Sequence, residues 1–127
     1  MRFVLYALAL FYGANGAVML AVPDLWYATV PDVAHTGSFN PHFVRDIGIA
    51  FLAASVSLVL GAGGSRAALW PGAAFLGGHA ALHIAEMALH GTTATAGLRD
   101  LALILVPGLL PLAILALPRG ALPEQTR

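Results

Sequence analysis

Three histidines and a glutamate fall on one helical face. His79, His83, Glu86 and His90 stand at i, i+4, i+7 and i+11. At about 100° per residue all four lie within a narrow arc. Two chemistries suit that set. Histidines one turn apart can chelate a metal ion from a single helix, and a carboxylate between them adds a hard ligand. The metal-ligating set would be His79, His83, Glu86 and His90. Di-iron bundles use Glu-x-x-His on two helices. Here the order is His83-x-x-Glu86, once, and no second helix offers a matching set. Haem held by two histidines is the weaker alternative, because His42 is barely inside a span. The other chemistry is metal-free. His83 and Glu86, removed from water, would share a proton as an acid–base pair. Arg45 and Asp46 would orient the bound molecule.

Further polar residues belong to the same candidate site. Tyr12 and Asn15 share a face of the first apolar segment. Asn40 and His42 precede the Arg45-Asp46 pair, and Arg99-Asp100 repeats that pair later in the chain. Tyr12, Asn15, Asn40, His42, Arg99 and Asp100 are the candidate ligand-binding residues. Each also has a plainer reading. Aspartate near a helix start complements the helix dipole and a neighbouring arginine neutralises it. Histidine, asparagine and tyrosine in spans commonly tie helices together.

These residues need elements to hold them, and the composition says what kind. The chain has 127 residues, 59% hydrophobic and 9% charged. Soluble domains carry about 25% charged residues. So little charge cannot coat a water-exposed surface, and lipid is the expected solvent. The net charge is zero and the sequence has no lysine. Nucleic acid is therefore excluded as a partner, since phosphate binding needs clustered positive charge. Cysteine is absent, which removes disulfides and thiolate chemistry.

About 20 residues of helix cross the hydrocarbon core. Four stretches qualify: residues 3–22, 43–62, 67–89 and 98–117. The expected fold is all-α, a four-helix transmembrane bundle in one integral membrane domain spanning residues 1–127. Small residues near Gly13 to Ala17 could be mistaken for a leader's cleavage site. The apolar run continues past them, so this segment is expected to be retained. Pro107, Gly108 and Pro111 predict a kink in the last span. Arg2, Arg66, Arg119 and Arg127 fall on one side, whereas Arg45 and Arg99 on the other are each followed by aspartate. The arginine bias places the N and C termini in the cytoplasm and the protein in the inner (plasma) membrane, multi-pass. The long first outer loop, residues 23–42, carries Trp26 and Tyr27 at the headgroup level. The shared Arg-Asp openings of the second and fourth spans hint at an internal repeat of two hairpins.

This orientation gives depth to the polar groups. Counting inward from His90, Glu86 lies ~6 Å deep, His83 ~10 Å and His79 ~16 Å. Ionisable groups inside a span cost at least ~2.5 kcal/mol each and normally face the bundle interior or a wet cavity. An outward-facing polar pocket is the expectation. It would bind a metal or a small amphiphilic molecule, lipid-like or quinone-like, with catalysis open. The alternative is a non-catalytic accessory subunit of a larger membrane complex, or a homo-oligomer.

The stretch Gly37-Ser38-Phe39-Asn40-Pro41-His42-Phe43-Val44-Arg45-Asp46-Ile47-Gly48 resembles a signature of uncharacterised small bacterial four-span membrane proteins. The overall plan is similar to the DoxX-like group of four-helix membrane proteins. That resemblance implies a redox-associated or quinone-adjacent role and supplies no catalytic residue to carry over.

Overall fold

A computed structural model describes residues 1–118. Arg119 and Arg127, which entered the orientation argument, lie outside the described residues. Those residues form helices joined by short connections. Helix α1 is Arg2–Ala21, α2 is Pro23–Thr29, α3 is Pro41–Ala62, α4 is Arg66–His90 and α5 is Ala94–Ala116. A 3-10 turn, Val33–His35, lies between α2 and α3.

Local chemistry sets these boundaries. Val22 precedes proline, which disfavours helical backbone at that residue, and α1 stops there. Pro23 and Pro41 open α2 and α3, where a missing N–H costs nothing. The Asn40 side chain accepts from the N–H groups of His42 and Phe43 at 3.1 Å. Ser65 caps α4 by accepting from Ala68 N–H, and Thr93 caps α5 by accepting from Ala96 N–H. Each bond satisfies a donor the first turn leaves without a partner. Gly91 ends α4 at φ 77°, a backbone region where a side chain would be strained.

Three of the long helices, α1, α3 and α5, are long and apolar enough to cross a membrane. Helix α4 is the longest at 25 residues, but its histidines and Glu86 make it more polar. The long helices pack in chain order, α1 on α3, α3 on α4 and α4 on α5. Two contacts show how close they come. A methyl group on Gly16 would sit 2.6 Å from the Gly48 carbonyl oxygen, so only glycine permits the α1–α3 crossing. Between α3 and α4 the Ser57 hydroxyl donates to the Ala68 carbonyl and accepts from Gly72 N–H at 2.9 Å. Small residues at the seam and hydroxyls bonded across it are what hold helices in lipid, where burial of apolar surface drives little. Leu5, Met19, Leu58, Leu69, Leu76 and Pro111 are fully enclosed.

Helix α5 departs from regular geometry. Its turns are α over Ala94–Asp100, π over Leu101–Leu105 and α again over Val106–Ala116. Pro107 has no N–H to close an α-turn on Leu103, and its ring crowds that carbonyl. Ahead of it the helix widens, and Val106 N–H reaches back five residues to the Leu101 carbonyl. The breakers expected to kink this helix thus accompany a change of helical register.

Candidate functional site

The register change decides where Asp100 points. Gly108 lies against α4, with its Cα side close to the Leu76 carbonyl and the Ala80 methyl. In an unbroken α-helix Asp100 would point about 80° away from that direction, at ~100° per residue over the intervening residues. A π-turn holds one extra residue. Removing one residue's rotation brings Asp100 back to within roughly 20° of the α4 side. There it meets His83.

Asp100 is buried, with 8% of its surface exposed. Its Oδ1 accepts from Arg99 Nε at 2.9 Å and from Arg99 Nη2 at 2.7 Å. Its Oδ2 lies 3.4 Å from His83 Nδ1. The same Arg99 Nη2 reaches Asp32 Oδ2 at 2.8 Å. Asp32 sits in the connection between α2 and the 3-10 turn, with its backbone in the left-handed region at φ 66°. One guanidinium therefore serves two carboxylates, one from the connecting segment and one from its own helix.

Beyond His83 the contacts become aromatic. The rings of His79 and His83 meet edge to face at 4.9 Å. His79 stands edge-on to Phe51 at 5.5 Å and parallel to Phe75 at 6.4 Å. Tyr12 stacks on the far side of this group, 5.6 Å from Phe51. Among the described residues His79 has these ring contacts and no hydrogen bond. Its neighbours give it apolar faces, and its two ring nitrogens keep their capacity to bind.

The other candidate residues lie elsewhere. Glu86 pairs with His90 at 3.0 Å on the exposed side of α4, so His83 takes Asp100 as its acid partner. Asp46 pairs with His42 at 3.3 Å, and both side chains are more than half exposed. Arg45 Nε donates to the Leu20 carbonyl at 3.3 Å. A cation there satisfies a carbonyl of the last turn of α1 and complements its dipole. Asn40 is the cap already described. Asn15 accepts from Trp26 Nε1 at 2.9 Å and donates to the Met19 sulfur, tying α2 to α1.

Metal ligation needs several donors about 2 Å from one point. Among the described residues no three or more histidine, cysteine, aspartate or glutamate groups are placed to hold a metal ion. The physical reason is the length of the stripe. Its four residues spread over three turns, roughly 16 Å of axis at 1.5 Å per residue. The second helix that approaches brings Asp100 with Arg99 already bound to it.

A shallow groove of about 510 Å³ lies between α1 and α3, lined by Tyr6, Leu10, Gly13, Ala17, Ser55 and Val59 among others. It contains none of the candidate residues, and the Ser55 hydroxyl is committed to the Ala9 carbonyl at 2.7 Å.

Asp32, Phe51 and Phe75 complete the centre, and sequence reasoning did not select them. Phe75 carried a signal, because it extends the α4 stripe one turn before His79. Asp32 carried none, since its partner is 67 positions away in sequence. Comparisons with protein-family models, with curated proteins and with solved structures give no match to this chain.

Proposed function

We propose that the chain is an integral membrane protein of four spans that binds a small amphiphilic molecule at a centre formed by His79, His83 and Asp100. Both termini lie on the cytoplasmic side of the inner membrane, and the centre opens toward the outer leaflet. The arginine distribution supports that orientation. Helix α4, about 37 Å long at 1.5 Å per residue, has the length of a fourth span. It also packs between two helices apolar enough to cross.

The observation that carries the functional reading is the placement of Asp100. A buried carboxylate is costly unless paired, and here it is held between Arg99 and His83. Arg99 supplies the compensating charge, and His83 stays 32% exposed at its side chain. An imidazole fixed at one nitrogen and open at the other is the usual arrangement for orienting or protonating a bound group. The redox-associated role implied by the DoxX-like resemblance would use the same centre, with His83 moving a proton.

The test is native mass spectrometry of protein released from mild detergent, comparing wild type with His83→Ala. A small molecule retained by the wild type and lost from a folded His83→Ala variant is the expected result. Equal retention by both would remove the centre from the function.

One observation favours the accessory-subunit reading. Glu86 and His90 are 59% and 70% exposed at their side chains, and a partner chain would give that polar face company. Under that reading Glu86→Ala with His90→Ala would release a co-purifying protein, and His83→Ala would not.

A further inference from the structure

The ligand class can be narrowed from the hydrogen-bonding capacity the centre has left over, a step that rests on the binding function proposed above. Arg99 is the cation of the centre, and three of its five N–H groups are taken. Two of its N–H groups go to Asp100, and Nη2 also meets Asp32. A carboxylate or phosphate headgroup could reach the remaining nitrogen, Nη1, only beside the two carboxylates already in place. Two carboxylates against one guanidinium leave the charged groups with one negative charge, which also repels an anion. A cationic headgroup would be drawn to Asp32, whose side chain is 59% exposed, and away from Asp100, both of whose oxygens are engaged. Asp100 is also buried, with 8% of its surface exposed.

The two imidazoles remain. An ionised carboxylate only accepts hydrogen bonds. His83 Nδ1, 3.4 Å from Asp100 Oδ2, therefore carries the proton in that contact. In a neutral ring the other nitrogen, Nε2, is then an acceptor. An acceptor selects a ligand that donates. His79, whose ring touches His83 and has no hydrogen bond among the described residues, can donate to the same ligand oxygen. Phe75, parallel to His79 and only partly buried, offers an apolar face for the ligand's body.

The geometry points to an uncharged amphiphile bearing a hydroxyl group as the ligand. The hydroxyl donates to His83 Nε2 and accepts from His79. Aliphatic and phenolic alcohols share this chemistry. Ethers, esters and ketones lack the donor, and fatty acids and phospholipids carry the excluded charge.

The experiment uses the full chain in phosphatidylcholine nanodiscs with ¹⁵N-labelled histidine. It titrates farnesol, its methyl ether, the corresponding carboxylic acid and a long-chain alkylphenol. Farnesol or the alkylphenol should shift the His83 side-chain resonances saturably, and which binds tighter separates aliphatic from phenolic ligands. The ether and the acid should bind at least ~10-fold more weakly, the effect of one lost hydrogen bond or one unpaired charge. Asp100→Asn removes the preference, because an amide that donates to Nδ1 leaves Nε2 carrying the proton, which alcohol and ether oxygens accept alike. The ether should then gain on the alcohol, a change that a purely structural role for Asp100 would not produce. If Asp100→Asn does not fold, the wild-type ranking decides alone. Binding of the ether or the acid as tightly as the alcohol overturns the inference and leaves the binding function standing. No saturable binding of any probe, together with no molecule retained through His83, overturns both.

Discussion

The chain opens two of its helices with the same dipeptide, and the two copies have different fates. Arg45-Asp46 lies in the first turns of α3, and Arg99-Asp100 lies in those of α5. In the first copy the residues part company. Arg45 turns to a backbone carbonyl of α1, and Asp46 pairs with the exposed His42. In the second copy they bind each other, and together they join two distant segments, α4 through His83 and the α2–α3 connection through Asp32. Identical side chains at comparable helical positions thus become a helix tie in one place and the hub of a polar centre in the other. The dipeptide does not decide this. The surroundings do: α3 continues as a regular helix after Asp46, whereas α5 widens directly after Asp100.

The largest test removes the arginine from each copy. Arg99→Ala strands a buried carboxylate and frees Asp32, and should lower stability by about 3–5 kcal/mol, the range for breaking a buried pair. Arg45→Ala removes one exposed hydrogen bond and should cost at most about 1 kcal/mol. Reversible unfolding in mixed micelles measures both, and equal losses would abolish the distinction between the copies.

Next come the histidines. His83→Ala leaves Asp100 Oδ2 without its partner and should cost about 1–3 kcal/mol. His42→Ala removes an exposed i,i+4 pair, for which no measurable change is expected. The double variant His83→Ala with Asp100→Asn should show coupling of more than about 0.5 kcal/mol, where His42→Ala with Asp46→Asn should be additive.

The smallest effect on stability is the most specific. Pro107→Ala restores an N–H able to close an α-turn on Leu103, and the reason for widening the helix disappears. Melting should change by less than about 1 kcal/mol. The His83 ¹⁵N resonances should move toward those of the Asp100→Asn variant, because Asp100 rotates away. Unchanged His83 resonances would show that the π-turn does not aim Asp100.

Much of the fold was legible in the chain. The apolar stretches 3–22, 43–62 and 67–89 coincide with α1, α3 and α4 to within two residues, because length and hydrophobicity are local properties. The stripe on α4 was also legible, since periodicity along one helix is a local property. What the stripe meets was not. Pro107 and Pro111 announce an irregularity, yet the direction in which it turns Asp100 depends on how α5 seats Gly108 on α4. The expectation that His83 would work with Glu86 followed from spacing alone. Glu86 had a nearer use one turn on, in His90. Asp32 escaped notice because nothing around Pro31 and Asp32 reports that the segment folds toward α5.

The serial order of packing has a consequence for how the molecule is made. Each long helix lies against the one synthesised just before it, so a ribosome delivers every helix to a surface already in place. No long helix must wait for a distant partner, and contacts that close locally form quickly. Asp32 is the exception, because it leaves the ribosome 67 residues before the arginine that will hold it. In the proposed topology Asp100 enters lipid one residue behind its own arginine, and the pair crosses the insertion barrier as a single neutral body.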